Sequence, residues 1–356
     1  MQKTWRNAPL LACLPFLMAA SPSPITPVYD GNCQAPRWSP DGAHLSYEVN
    51  YHAKKRVELF VMESGQAARQ IEPMARSTSE LTAGFSKADA EAVSHELTFS
   101  PPSLGTFLFS ASGTERDYDL YLDGGSRIAS HPGTDGGPAW SPDGSHIVFT
   151  SARTGQGDLY LLETNQLDRA PRRLTADEEA SELYAAWSPD GKQIVFVGHT
   201  RVGDNLYLID NVAYPAPRAI TNWTHTQTRP TFSPDGQHIA FYSNHENSER
   251  FDLYVMPIDG VPKLLRKTVV MNAHGPAWLP DSSGLIVVVD DDERFDPIFR
   301  IGLNGTSKHL DLDTVGNGDH AVATLSDQVT YLAIAAQGTS SSEVRDFKRL
   351  YIVALP

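Results

Sequence analysis

The chain has 356 residues, and its 40% hydrophobic share with 26 glycines and 25 prolines is typical of a loop-rich globular protein of one large or two ordinary domains. It carries 43 acidic and 29 basic residues, which gives a formal net charge of -14. A nucleic-acid-binding protein needs a basic face that neutralises phosphates, so this balance argues against that class of partner.

The N-terminus has the pattern of an export signal. Lys3 and Arg6 precede an apolar run over 8–18, and small residues follow at 19–21. We therefore expect residues 1–21 to be cleaved and the mature protein to be periplasmic or secreted. The apolar run is too short to span a membrane.

The chain has two cysteines, and they limit the chemistry available to it. Cys13 would leave with the signal, so Cys33 is left without a partner and no disulfide framework is expected. A cysteine-rich metal site is excluded for the same reason. The stretch "LLAC" ending at Cys13 loosely resembles a lipoprotein acylation site, which is the alternative to a soluble exported protein.

One short stretch recurs along the chain. "PAWSPDGSHIVFTS", which starts at Pro138, has near copies that start at Pro36, Ala185 and Pro230. In each copy one residue comes directly before a Ser-Pro or Leu-Pro pair, and we call this residue the anchor. Successive anchors lie between 41 and 61 residues apart. The anchors are Trp38, Phe99, Trp140, Trp187, Phe232, Trp278 and, in a degenerate seventh copy without the proline, Leu325.

Each repeat reads as short strands joined by turns. "HIVFTS" and "HIAFYS" are β-branched and aromatic with alternating polarity, and a second apolar run such as "DLY" follows each anchor by roughly twenty residues. "SPDG" is a turn, because Ser hydrogen-bonds the backbone, Pro presets φ and Gly supplies a positive φ. We expect the anchor aromatic to pack between neighbouring units.

Four strands per repeat at this spacing predict an all-β fold, a β-propeller of four-stranded antiparallel blades in one domain over residues 25–356. Seven anchors predict seven blades, and six is the alternative because the seventh copy is degenerate. The last repeat ends after its third strand, so we expect a strand from Ile25 to supply the fourth and close the ring. A polar insertion at 73–92 lengthens the first repeat; a surface loop or a partner-binding element would fit it.

The pattern "WSPDG…IVF…DLY…RRLT" resembles the repeat of TolB-like propellers, also called WD40-like PD40 repeats. The resemblance covers nearly the whole mature chain and implies a binding propeller at the cell envelope. The same repeats are similar to those of prolyl-oligopeptidase-type peptidases and of oligogalacturonate lyases. The Tol-system protein has an additional N-terminal α/β domain and six blades, so the resemblance does not carry its docking partners over to this chain.

Several enzyme motifs are missing from the sequence. A serine hydrolase of the peptidase type needs a Gly-x-Ser-x-Gly elbow, and no such pentapeptide occurs. A P-loop and a Gly-rich dinucleotide fingerprint are also absent. A peptidase or nucleotide-binding activity is therefore not predicted.

The remaining place for function is the mouth of the central channel. We call the stretch that lies four to six residues before each anchor the lead-in segment. At this stretch the chain enters the innermost strand of each blade. Their polar side chains are predicted to converge at the mouth: Asn32, Cys33, Gln34, His95, Glu96, Asp135, Glu182, Gln227, Asn272, His274, Asp319 and His320, with Arg229 close by. His199, Asn244 and His245 follow second strands and are expected at the opposite or outer rim.

His95, His274 and His320 occupy nearly equivalent positions, and three histidines near carboxylates could bind a divalent metal. The resemblance to oligogalacturonate lyases, which hold a metal with His and Gln in that region, implies a possible lyase site. His274 or His320 would then be the base and Arg229 would clamp the substrate carboxylate. The spacing of these histidines matches no compact metal-ligand motif. Polar residues at the mouth are equally expected if the mouth is simply filled with water.

Two functions follow. The first is an exported, monomeric, non-enzymatic module that binds a protein or glycan partner at the cell envelope and needs no cofactor. The alternative is a metal-dependent carbohydrate-active enzyme with its site at the channel mouth.

Overall fold

A computed structural model describes residues 32–51, 56–63, 69–71, 94–112, 118–129, 131–246, 249–290, 296–312, 315–326, 329–338 and 348–355. Every regular element in these ranges is a strand. No helix that could cross a membrane occurs among these residues. The predicted signal at 1–21 and insertion at 73–92 lie outside them.

The strands form seven antiparallel sheets, each built from consecutive strands. Blade one contains β1 (Asn32–Trp38), β2 (His44–Tyr51), β3 (Arg56–Glu63) and β4 (Arg69–Ile71). Blade two contains β5 (Ser94–Phe99), β6 (Phe107–Ser112), β7 (Tyr118–Leu122) and β8 (Arg127–Ala129). Blade three contains β9 (Asp135–Trp140), β10 (His146–Ser151), β11 (Asp158–Glu163) and β12 (Arg172–Arg173). Blade four contains β13 (Ser181–Trp187), β14 (Ile194–Thr200), β15 (Gly203–Ile209) and β16 (Pro217–Ala219).

The remaining three blades complete the ring. Blade five contains β17 (Gln227–Phe232), β18 (His238–Ser243), β19 (Asp252–Pro257) and β20 (Lys263–Arg266). Blade six contains β21 (Ala277–Trp278), β22 (Gly284–Val288), β23 (Ile298–Gly302) and β24 (Ser307–His309). Blade seven contains β25 (Val315–Ser326), β26 (Val329–Gly338) and β27 (Arg349–Leu355). The prediction of a seven-bladed propeller is confirmed.

The aromatic residues of the repeat pair across strands. Phe149 in β10 lies directly opposite Tyr160 in β11, with ring centroids 6.1 Å apart. Phe196 and Tyr207 repeat this pair in blade four at 5.6 Å. Such aromatic pairs add to sheet stability beyond the apolar area that they bury. The "IVF" and "DLY" signals therefore mark the two strands that form this pair.

The "SPDG" turn is held by its own side chains. In blade three, the Asp143 carboxylate accepts hydrogen bonds from the Ser141 hydroxyl at 2.6 Å and from the backbone N–H of Ser145 at 3.0 Å. These bonds lower the pKa of Asp143 to about 2. Gly144 takes a φ of 72°, which a side chain disfavours. The turn is thus defined locally, as the sequence predicted.

The anchor tryptophans join neighbouring blades. The indole N–H of Trp187 donates to the Ala139 carbonyl at 3.1 Å, which links blade four to blade three. Trp278 donates in the same way to the Thr231 carbonyl at 3.4 Å, which links blade six to blade five. The predicted packing of anchors between units is confirmed for these copies.

The ring closes where blade one meets blade seven. The backbone N–H of Cys33 donates to the Lys348 carbonyl at 2.9 Å, and the N–H of Lys348 donates to the Asn32 side chain at 2.8 Å. Ala333 and Leu350 of blade seven share a buried apolar cluster with residues of β1 and β2. The closing strand predicted from Ile25 lies outside the described residues.

Candidate functional site

A cavity of about 930 Å³ lies within the ring along the innermost strands. Its lining comes from blades one to six, and the ionisable or aromatic members that matter below are Arg37, Glu96, Tyr118, Tyr184, Arg229 and His274. A concave site of this size with a few convergent polar groups is the usual form of a ligand-binding site.

The innermost strands of the first six blades share one irregularity. The residue three positions before each anchor has a positive φ, and in the first five blades the strand pairing shifts at the same point, as in a β-bulge. The residues and their φ values are Ala35 (49°), Glu96 (55°), Gly137 (59°), Tyr184 (55°), Arg229 (53°) and Gly275 (94°).

Three of these positions carry large side chains at an energetic cost. A non-glycine residue in this conformation costs about 1–2 kcal/mol, whereas glycine adopts it freely. Blades three and six use glycine, so the fold itself accepts glycine at this position. Glu96, Tyr184 and Arg229 all line the cavity. Strain of this kind concentrates at functional sites, so these residues are the strongest site candidates.

Glu96 is held at the boundary between blades two and three. Its Oε2 accepts hydrogen bonds from the backbone N–H of Gly137 at 2.5 Å and from the Ser110 hydroxyl at 3.4 Å. Burial raises the pKa of Tyr118, and the nearby Glu96 charge adds to this. Burial also lowers the pKa of Arg37 to about 10, although Glu96 opposes that shift.

Arg229 is fixed at the boundary between blades four, five and six. Its guanidinium lies 4.9 Å from the centroid of the Tyr184 ring, a cation–π contact. One of its N–H groups donates to the Ala273 carbonyl of blade six. The planar group is therefore clamped between a ring and a carbonyl.

The structure brings three of the predicted residues together in the cavity, namely Glu96, Arg229 and His274. Tyr184 joins them, and it is not among the predicted residues. Tyr184 lies three residues before its anchor, and glycine lies three residues before Trp140 and Trp278. These glycines indicate in the sequence that the backbone is unusual at this position.

Three other predicted residues, five positions before their anchors, are buried and do not belong to the described cavity lining. Asp135 is 0% exposed, and both of its oxygens lie 3.1 Å from Nη2 of Arg153. The Gln227 amide donates to the His225 carbonyl at 3.1 Å. Both side chains are thus held in buried contacts, and their role at the channel mouth stays a prediction.

Glu182 is the third of these residues and joins blades three and four. Its backbone N–H donates to the Gly157 carbonyl at 2.6 Å, and its own carbonyl accepts from the Thr150 hydroxyl at 2.8 Å. Its side chain is buried, and Oε2 has no hydrogen-bond partner in the described structure. Burial raises its pKa from 4.5 to about 7.

The other lead-in residues also have structural contacts. The Asn272 amide donates to the Ala321 carbonyl at 3.0 Å and accepts from the Ala321 N–H at 3.2 Å, which joins blades six and seven. Gln34 donates to Glu48 at 2.9 Å. Cys33 is buried.

The predicted metal ligands are only partly described. His95 lies in β5, and Asp319 and His320 lie in β25, but their side chains are outside the described part of the structure. Among the described residues, no group of three or more His, Cys, Asp or Glu side chains could hold a metal ion. Metal binding by His95, His274 and His320 stays a prediction.

His199 and His245 lie at the same end of the blades as the lead-in segments, so the opposite rim is wrong for them, whereas the outer rim stays a prediction. Ser243, the last residue of β18, pairs with Gln227 at the start of β17, and the N–H of Asn244 donates to the Thr226 carbonyl. The end of each second strand is therefore next to the lead-in segment. His245 stacks on Trp223 there, with ring centroids 4.3 Å apart.

Comparison with known families supports the repeat assignment. Residues 98–199 match the profile of the family described as TolB beta propeller domain, PD40. No curated protein matches the chain in sequence.

Solved structures share the fold at low sequence identity. A puromycin hydrolase is 13% identical with a TM-score of 0.60, and the match covers 86% of this chain and 50% of the hydrolase, so the chain spans half of that protein. An oligogalacturonate lyase in complex with manganese is 14% identical with a TM-score of 0.54, over 74% of this chain and 91% of the lyase. TolB from Acinetobacter baumannii is 15% identical with a TM-score of 0.44, over 89% of this chain and 78% of TolB.

The profile match falls on consecutive copies of the "SPDG" repeat, and the fold has the blades that such repeats build. The chain is a seven-bladed β-propeller, and its residues 98–199 match the family described as TolB beta propeller domain, PD40.

Proposed function

We propose that this chain is an exported binding module that holds a segment of a protein or glycan partner in its central cavity at the cell envelope. The observation that carries the proposal is the placement of Glu96, Tyr184 and Arg229 on strained bulges of the cavity wall. Glycine would relieve the strain at each site, so a ligand contact is a physical reason for keeping these side chains.

Rigidity supports binding by these residues. The bulges lie on strands whose neighbours are fixed by the pairing register and by contacts between blades. A side chain that is already oriented loses less conformational entropy when a ligand binds. Export rests on the residues at 1–21, and the monomeric state remains part of the proposal.

A photocrosslinking experiment tests the proposal in cells of the native host. A photoreactive phenylalanine analogue at Tyr184 is expected to form a discrete covalent adduct with the partner, because Tyr184 lines the cavity. Arg229→Gln in the same chain should weaken the adduct band several-fold, since the guanidinium would no longer contact the ligand.

The control carries the same analogue at Val261, which is 82% exposed and does not line the described cavity. Equal labelling from Tyr184 and Val261, or labelling that Arg229→Gln leaves unchanged, would contradict binding in the cavity. A thermal melt of each variant shows whether it is folded.

The alternative of a metal-dependent carbohydrate-active enzyme rests on His95, His274 and His320. If it holds, the purified protein should contain a divalent metal at a near-stoichiometric level. Divalent cations and uronate oligomers should then raise its melting temperature, because a ligand that binds the folded state stabilises it. Protein without metal and without a thermal shift would exclude this alternative.

A further inference from the structure

Arg229 differs from several other described arginines of the chain in the group that it contacts. Six others lie within ion-pair distance of an aspartate, namely Arg127, Arg153, Arg173, Arg218, Arg250 and Arg300. Arg229 has no carboxylate at such a distance among the described residues, although acidic residues outnumber basic ones by 43 to 29. Its described contacts are the Tyr184 ring and the Ala273 carbonyl.

These two contacts leave most of the guanidinium available. Arginine has five N–H donors, and the contact with Ala273 uses one of its terminal nitrogens. The Tyr184 ring covers a face of the planar group and leaves its edge open to a ligand in the cavity. A carboxylate matches that edge with two parallel hydrogen bonds.

Glu96 offers the complementary charge. Both of its described hydrogen bonds end on Oε2, from Gly137 and Ser110, so Oε1 remains for a ligand. The side chain is exposed and lines the same cavity. Ammonium and guanidinium groups are the charged donors that a carboxylate accepts.

The two charges are expected on opposite sides of the channel. Glu96 and Arg229 occupy the same bulge position, three residues before Phe99 and Phe232. Blades two and five are three steps apart in a ring of seven, so we expect their equivalent bulges on opposite sides of the cavity that both line. The cavity wall therefore carries a carboxylate, with Arg37 near it, on one side and the Arg229 guanidinium on the other.

We infer that the cavity binds a polypeptide segment that carries an acidic and a basic group, the acidic group on Arg229 and the basic group on Glu96. This inference rests on the proposed function and names its ligand. A polypeptide supplies both charges within a few residues, whereas an acidic glycan supplies only the first and would be repelled by Glu96. Like charges brought together in this way oppose binding.

Matched peptides test the inference on the purified wild-type protein. Each peptide is acetylated and amidated and carries one Glu and one Arg, separated by none to four serines, a span of up to about 16 Å in extended chain. The comparison peptides replace Glu or Arg with Gln, and a uronate oligomer represents the acidic glycan. At least one Glu/Arg spacing should bind about tenfold more tightly than both of its Gln counterparts, as measured by calorimetry.

Variants assign each peptide group to one wall. Arg229→Gln should abolish the preference for Glu over Gln in the peptide and keep the preference for Arg over Gln. Glu96→Gln should abolish the preference for Arg over Gln and keep the preference for Glu over Gln. Arg218→Gln is the matched control, because this exposed arginine pairs with Asp210 outside the described cavity lining and should leave affinity unchanged. A thermal melt shows that each variant is folded.

Three results would overturn the inference. The first is that no Glu/Arg peptide exceeds its Gln counterparts at any spacing. The second is that the uronate oligomer binds more tightly and Glu96→Gln strengthens it; the propeller would then still be a binding module, for an acidic glycan. The third is that each variant weakens both preferences equally. An adduct at Tyr184 together with any of these results would overturn only the inferred ligand. The absence of that adduct would contradict the proposed function itself.

Discussion

Asp135→Ala is expected to lower the free energy of unfolding by about 3–5 kcal/mol, the usual cost of removing one partner of a buried ion pair. Asp135 is 0% exposed, and the Arg153 side chain is only 16% exposed. Without the carboxylate, the guanidinium would keep its contact with the Tyr160 ring at 4.7 Å and its hydrogen bond to Ser151 at 2.8 Å. Neither contact neutralises its charge. Urea unfolding followed by fluorescence measures the loss.

Asp210→Ala is the matched control in blade four. Asp210 also pairs with an arginine, Arg218, but both side chains are more than 40% exposed. Exposed pairs contribute at most about 1 kcal/mol, so this variant should unfold close to the wild type. Equal losses for Asp135→Ala and Asp210→Ala would mean that the buried pair does not stabilise the blades. Asp135 would then again be a candidate for a role in binding.

The fold could be predicted from the sequence because the local signals recur in most of the blades. The "SPDG" turn is fixed by hydrogen bonds within a few residues, as Asp143 shows. The aromatic pair of Phe149 and Tyr160 needs only neighbouring strands in register. Interactions with such short sequence separation leave a direct imprint on the repeat.

The site could be predicted only in part, because a β-bulge breaks the alternation of side chains along a strand. In a regular strand, residues five and three positions before the anchor would face the same side. The pairing shift between Thr228 and Thr231 separates them, so that Gln227 is buried and Arg229 lines the cavity. The lead-in pattern alone could not distinguish these two positions.

Glu182→Gln is expected to stabilise the protein at alkaline pH, by on the order of 1–2 kcal/mol at pH 8 after allowance for solvent screening. Burial raises the pKa of Glu182 from 4.5 to about 7, and the negative charges of Asp158 and Asp177 add to this, against a hydrogen bond from Thr175. The fold thus favours the neutral carboxyl. This contribution to stability is complete below about pH 4 and is lost as the pH rises through about 7.

A glutamine at 182 stays neutral at every pH, so its curve of stability against pH should be flatter than that of the wild type. The two curves should meet below about pH 4, separate between about pH 4 and 7 and keep a constant separation above that, as measured by urea unfolding at a series of pH values. Glu179→Gln, at an exposed position in the preceding loop, is the control and should run parallel to the wild type. Parallel curves for Glu182→Gln as well would contradict the raised pKa.

Another blade of the chain already has glutamine at the equivalent position. Gln227 occupies in blade five the position that Glu182 occupies in blade four, five residues before the anchor, and it is 0% exposed. An amide is therefore compatible with the same local packing. A carboxyl at 182 makes the joint between blades three and four weaken as the pH rises, which the equivalent joint at Gln227 does not do. The difference between the two joints comes from one ionisable group and not from the repeat.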